Sequence, residues 1–137
     1  MRTIKFRGKT HGNGKWYYGS LCYSDEINAA IYFQIGSGLV KTMDWVYVIP
    51  ETIGQFTGLY DCDGTEIYEG DIVGCHNPSI KHLIFFNEKQ GRFMAALNGE
   101  IENDFGVVGL DDSRWVGSKK VIGNIHDNPK LLKGGEE

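Results

Sequence analysis

The sequence predicts an all-β protein. Its 137 residues include 19 glycines, which recur at short and fairly regular intervals. The runs between these glycines are short and rich in aromatic and β-branched side chains, a pattern typical of many short strands joined by tight turns. A chain of this length and ordinary globular composition can bury most of its apolar surface without disulfides or a structural metal.

The first predicted hairpin lies near the N-terminus. Residues 3–7 alternate between polar and apolar side chains, with Ile4 and Phe6 on one face. An Asn-Gly pair at 13–14 follows, and this pair is the strongest short-range signal for a hairpin turn. Residues 15–23 return as the second predicted strand.

The middle of the chain supplies two more strands. Residues 27–35 form an apolar run bounded by polar and glycine-containing segments, which indicates a strand rather than a helix. Residues 45–49 form the next strand, and it ends at Pro50 because proline cannot donate to a ladder. Residues 52–59 then lead into an acidic stretch.

The C-terminal part predicts a hairpin, a loop, a closing strand and a short helix. We expect the hairpin at 81–87 and 92–97, and a loop over 98–112 with a short strand around Val107 and Val108. The closing strand is expected at 120–125. Asn128 followed by Pro129 predicts the start of a helix of one or two turns, and residues 134–137 are expected to form a disordered tail.

The acidic stretch at 57–73, TGLYDCDGTEIYEGDIV, has two interpretations. Five carboxylates could bind a hard cation, but the glycine of DCDG comes too early for a calcium loop and no helices flank it. Turn chemistry explains the same residues, because glycine permits positive φ and Asp accepts backbone N–H groups at corners. We therefore predict a structural turn motif, without metal or cofactor, formed by Asp61, Asp63, Gly64, Gly70 and Asp71.

Composition and motifs argue against several classes of function. The net charge of −4 disfavours a general grip on nucleic acid. Three cysteines at unrelated spacings predict neither a disulfide framework nor a zinc knuckle, and unpaired thiols fit a reducing compartment. No segment matches a phosphate loop, a dinucleotide fingerprint or a nucleophile elbow, and neither a signal peptide nor a membrane-length apolar run is visible. We expect a soluble, intracellular protein without enzymatic activity.

A cluster of aromatic and basic residues near the N-terminus is a candidate interaction face. Its members are Lys5, Arg7, Lys15, Trp16 and Tyr18. An aromatic sheet face bordered by basic residues binds single-stranded nucleic acid by stacking. Aromatic side chains in a small β-protein also commonly form its core or a subunit interface, so both interpretations stay open at this point.

Four segments carry a resemblance to a known family. The chain contains, in order, IKFRGK at 4–9, GKWYYGSL at 14–21, IGQFTGLYDCDGTEIYEGDIV at 53–73 and VIGNIHDNPKLL at 121–132. Together they resemble the YopX family of bacteriophage and prophage proteins, over almost the whole chain.

The resemblance implies a single YopX-like β domain over residues 1–133. Its N-terminal β-rich extension would span about 1–50, and an SH3-like small barrel would span about 51–133. The resemblance also implies a cytoplasmic protein of a bacterial host, encoded by a phage or prophage, and it supplies no catalytic residues.

Three functions are therefore expected in order. The first is a non-catalytic accessory protein that binds a phage or host protein and could also form a homo-oligomer. The alternative is single-stranded nucleic-acid binding through the aromatic and basic face. An enzyme that uses the carboxylates of residues 61–71 with a divalent ion comes third.

Overall fold

The computed structural model describes residues 2–110 and 113–132, and it confirms an all-β fold with two antiparallel sheets. The chain divides into two compact units, residues 1–56 and residues 57–137. No helix of the described residues is long and apolar enough to cross a membrane.

One sheet has six strands in the order β4-β3-β2-β1-β5-β6, and its strands β1 to β4 belong to the first unit. The strands are β1 (Phe6–Lys9), β2 (Trp16–Tyr23), β3 (Ala29–Ser37), β4 (Val40–Val48), β5 (Gly54–Tyr60) and β6 (Glu66–Tyr68). A short 3-10 turn at Pro50–Thr52 leads from β4 to β5.

The core of the first unit lies on one side of strands β1 to β4. Ala29, Ile31 and Val48 are buried there, and Tyr17 and Leu21 pack against them. Gly8 is required at this place, because a Cβ atom on it would lie 2.7 Å from a Val48 methyl carbon.

The second unit contains a five-stranded sheet in the order β10-β9-β8-β7-β11. Its strands are β7 (Asp71–Gly74), β8 (Lys81–Asn87), β9 (Arg92–Leu97), β10 (Val107–Gly109) and β11 (Lys120–Asn124). A short helix, α1 (Ser113–Gly117), precedes β11, and 3-10 turns occur at Asp104–Gly106 and Pro129–Leu132.

The core of the second unit gathers buried side chains from nearly all of these elements. They are Ile67, Val73, Ile84, Ala95, Leu110 and Val116. Helix α1 contributes Val116, which is fully buried. The sequence patterns did not predict this helix, because its five residues show no helical repeat and tertiary burial of one side chain holds it in place.

Several predicted elements are confirmed and others are corrected. Strands β8 and β9 have the predicted bounds, and a short strand lies at Val107. The first strand begins at Phe6 and not at residue 3, so Ile4 precedes it and is 60% exposed. Strand β4 begins at Val40, five residues before the predicted start. The predicted tail at 134–137 lies outside the described residues.

Candidate functional site

The acidic stretch is organised around the buried carboxylate of Asp61, which is only 6% exposed. Its Oδ1 accepts the N–H groups of Asp63 and Thr65, each at 2.8 Å. Its Oδ2 accepts the N–H of Val121 at 2.9 Å, across 60 positions of sequence. One side chain therefore shapes the turn between β5 and β6 and also fastens β11 beside it.

The charge state of Asp61 follows from these bonds. Burial by itself would raise the pKa of Asp61. The N–H donors of Val121, Thr65 and Asp63 outweigh this effect, and with the positive charge of Lys120 they hold the pKa below its ordinary value. Asp61 is therefore an anion whose oxygens are occupied by backbone donors.

The remaining members of the predicted turn motif lie at two corners. Gly64 and Gly70 have φ angles of 82° and 97°, which favour glycine. Asp71 is buried and accepts the Tyr68 N–H at 2.7 Å. Asp63 lies on the surface, 3.6 Å from the Lys120 ammonium. Among the described residues no group of His, Cys, Asp and Glu side chains could hold a metal ion.

His82 and Trp115 form a second polar feature in the same unit. Their rings meet edge to face with centroids 4.9 Å apart, and the Lys119 ammonium lies 4.9 Å from the Trp115 centroid. Burial lowers the pKa of His82, and the charge of Lys119 lowers it further. His82 is therefore held among an aromatic ring and a cation, in contacts that disfavour its charged form.

An exposed apolar feature lies in the first unit, on the side of the sheet opposite to the core. We call it the aromatic face, and its members are Trp16, Tyr18, Tyr32, Met43, Trp45 and Tyr47. Strand alternation and register place them together: Ser20, two positions after Tyr18, lies opposite Tyr32, and Tyr32 lies opposite Trp45.

The rings of the aromatic face contact one another while staying open to solvent. Tyr32 and Trp45 are stacked with centroids 6.1 Å apart, and Trp45 meets Tyr47 edge to face at 4.9 Å. Trp45 and Tyr47 are nevertheless 46% and 48% exposed. Burial of such rings against a partner is a strong source of binding free energy.

The five residues predicted as an interaction face do not all lie on one accessible surface. Trp16 and Tyr18 belong to the aromatic face. Arg7 lies opposite Tyr18 with its guanidinium 4.7 Å from the Trp16 ring centroid, and it is buried at 5% exposure. Lys5 lies with its ammonium 5.5 Å from the Phe56 ring. Lys15 is exposed and precedes β2.

The charged residues that strands β1 to β4 place on the side of the aromatic face are basic. Lys9 lies opposite Trp16, and Lys41 lies two positions before Met43, so both are on the same side of the sheet as the face. Asp44 is the one acidic residue of β1 to β4, and alternation puts it on the other side. The first unit as a whole has six Lys and Arg against four Asp and Glu, whereas the second has eight against fourteen.

Sequence reasoning missed four members of the aromatic face: Tyr32, Met43, Trp45 and Tyr47. A signal was present, because Met43, Trp45 and Tyr47 follow one another at intervals of two and so lie on one side of a strand. The predicted strand began only at Trp45, so this alternation was cut short.

The fold and these sites define a class of small all-β proteins with two antiparallel sheets and buried turn carboxylates. The family model described as YopX protein matches residues 5–133, and the chain belongs to this family. A similar solved structure is that of protein EF1440 from Enterococcus faecalis. Its TM-score is 0.60 at 25% identity, covering 96% of this chain and 99% of that one. A search of curated proteins finds no match.

Proposed function

We propose that this chain is a non-catalytic accessory protein, encoded by a phage or prophage, that acts as a protein-interaction module in the cytoplasm of a bacterial host. The aromatic face carries this proposal. Three of its rings, Tyr32, Trp45 and Tyr47, contact one another while Trp45 and Tyr47 stay about half exposed, and exposed apolar surface of this kind marks interaction sites.

The non-catalytic part of the proposal is supported by the acidic stretch. The oxygens of Asp61 accept three backbone N–H groups, and Asp71 is buried against the Tyr68 N–H. Carboxylates committed in this way to main-chain donors are poorly placed to bind a substrate or to transfer a proton.

The SH3-like barrel that the family resemblance implies for residues 51–133 belongs to the same proposal. It is supported by the antiparallel order β10-β9-β8-β7-β11 and by the hydrophobic core that strands of this sheet share with β6 and α1. An experimental structure tests it, because a barrel requires a hydrogen-bond ladder that closes on itself.

The interaction function is tested by affinity purification from phage-infected host cells, with and without nuclease treatment. We compare wild type with a Trp45→Ser, Tyr47→Ser double variant. The matched control is Phe105→Ser, which also removes a fully exposed ring but lies in the other unit. A protein partner should survive nuclease, disappear with the double variant and persist with the control. Equal recovery with all three proteins would refute the role of the face.

Single-stranded nucleic-acid binding is the second candidate. The observation that favours it is the basic charge that strands β1 and β4 place on the side of the aromatic face, from Lys9 and Lys41, with Lys5 just before β1. Stacked rings with flanking cations bind a single strand with little sequence preference.

This second candidate has its own measurement, the anisotropy of labelled single-stranded DNA as a function of salt. Three cations, Lys5, Lys9 and Lys41, would give a slope of log affinity against log salt of about −2. The Trp45→Ser variant should weaken binding, and absence of binding at low salt would exclude the candidate.

A further inference from the structure

Strand β4 is the outermost strand of its sheet and is unusually open. It pairs with β3 along all of its nine residues, and no strand of the described chain lies on its other side. Its side chains are mostly exposed, including the apolar Val40, Met43, Trp45 and Tyr47.

The hydrogen-bond pattern shows which backbone groups point outward from β4. The Ser24 N–H donates to the Asn28 carbonyl, which makes this a hydrogen-bonded pair at the end of β2 and β3. Such pairs alternate along antiparallel strands. In the register of β2 and β3, the even-numbered residues of β3 therefore direct their backbone N–H and C=O groups toward β2, and the odd-numbered residues direct theirs toward β4. The odd-numbered residues of β3 lie opposite even-numbered residues of β4. The backbone groups of the even-numbered residues of β4 therefore point toward β3, and those of the odd-numbered residues point outward.

A direct contact agrees with this assignment. The Trp45 N–H donates to Oδ1 of the adjacent Asp44 at 2.8 Å, and not to a carbonyl of β3. The outward N–H groups of β4 are therefore those of Lys41, Met43, Trp45 and Tyr47. The Asp44 carboxylate accepts one of them, the Trp45 N–H, and a carbonyl of a pairing strand could replace it as the acceptor.

Natural proteins protect long edge strands with proline, bulges or several charges. Strand β4 contains no proline, its register with β3 is continuous, and its charged residues are only Lys41 and Asp44. An edge with these properties is suited to receive another strand.

We propose that β4 pairs with β4 of a second copy of this chain, antiparallel, about a two-fold axis that passes beside Met43. In this register Lys41 lies opposite Trp45 of the second copy, where a cation can approach a ring. Thr42 lies opposite Asp44, so its hydroxyl can bind the carboxylate as the Trp45 N–H turns to a carbonyl of the partner strand.

The chemistry of the edge disfavours two alternative registers. The register that overlaps all nine residues would place Asp44 opposite Asp44, and one centred on Lys41 would place Lys41 opposite Lys41. Like charges directly opposite each other destabilise a strand pair. The register centred on Met43 avoids both and gives each charged side chain a complementary neighbour.

This self-association goes beyond the proposed function, because it requires no other macromolecule. A two-fold axis perpendicular to the sheet keeps the two aromatic faces on the same side. The dimer would therefore present both faces as one continuous surface.

The experiment measures molar mass by light scattering over a series of concentrations. Wild type should approach twice the monomer mass, and Met43→Pro should remain monomeric, since proline removes a central outward donor without removing a bond to β3. The matched control is Met43→Thr, which keeps the N–H group and should still dimerise. Circular dichroism verifies that all three proteins are folded.

A second variant tests the register independently of folding. Met43→Cys should form a disulfide between copies, because hydrogen-bonded partners have Cα atoms about 5.5 Å apart, within disulfide range. Val40→Cys is the control and should form no link to itself, since Val40 lies opposite Val46 of the second copy. Peptide mapping separates the link at position 43 from links through the native cysteines. A wild-type monomer at every concentration, or a dimer unaffected by Met43→Pro, would overturn the proposal.

Discussion

Replacement of Asp61 by alanine should destabilise the second unit far more than replacement of the neighbouring, exposed Asp63. The change removes the acceptor for the N–H groups of Asp63, Thr65 and Val121. The first two donors lie in a surface turn, where water can partly replace the carboxylate. The Val121 bond joins β11 to a turn 60 positions earlier, and its loss loosens the end of the sheet.

The magnitude follows from these three bonds. Allowing about 1 kcal/mol for each turn bond and about 2 kcal/mol for the Val121 bond gives a loss of about 4 kcal/mol. That is a large part of the roughly 5–15 kcal/mol that stabilises an ordinary domain. Asp61→Asn should lower the free energy of unfolding by about half as much. Its amide oxygen can still accept the N–H groups of the turn, whereas its NH2 group is a donor and cannot accept the Val121 N–H.

The assay is urea unfolding followed by circular dichroism, with hydrogen exchange of the Val121 amide as a local readout. The control is Asp63→Asn, because Asp63 is exposed and forms only a surface ion pair with Lys120. Such pairs contribute less than about 1 kcal/mol. If Asp61→Ala and Asp63→Asn lowered the free energy of unfolding equally, or if Val121 exchange were unchanged, the reasoning would be refuted.

Low pH should remove the contribution of the Asp61 carboxylate to the free energy of unfolding. Because its pKa in the folded protein is below the ordinary 3.8, its contribution is complete above that value and declines as the pH falls through the folded pKa. The difference in free energy of unfolding between wild type and Asp61→Asn should therefore narrow below pH 3.8. A difference that stayed constant with pH would contradict the ionic origin of the effect.

Three further outcomes are expected. His82 has a pKa lowered by burial and by Lys119, so stability should fall as the pH drops below 6.5, and His82→Gln should flatten this slope in thermal unfolding measured against pH. Gly8→Ala should lower the free energy of unfolding by about 1–3 kcal/mol through its clash with Val48, whereas Gly12→Ala, with open space around it, should not. Trp45→Ser should leave the melting temperature nearly unchanged, because its ring is half exposed; a large loss would show that the aromatic face is structural.

Local patterns predicted much of the strand content. The runs at 81–87 and 92–97 are apolar, bounded by turn residues, and they form β8 and β9 at the predicted positions. Strand β4 was predicted too short, because its exposed first half has no buried side to reveal it. Helix α1 was missed because one buried residue, Val116, holds it against the core.

The candidate sites also combine residues that local patterns identified with residues that only tertiary contacts bring together. Alternation and basic residues in the sequence identified Trp16 and Tyr18, but half of the aromatic face comes from β4, which joins it only through the pairing of β2, β3 and β4. Arg7 was predicted to be part of an accessible face, and it is buried instead against Trp16.

By itself, the sequence determined the all-β class, the family and the turn residues, because turn geometry and strand alternation depend on neighbouring residues. Only the tertiary structure decided that Asp61 binds the Val121 N–H, that Arg7 is covered, and that β4 lies at the edge of its sheet. Each of these depends on contacts between residues distant in sequence, and no local pattern specifies which strand is left unpaired.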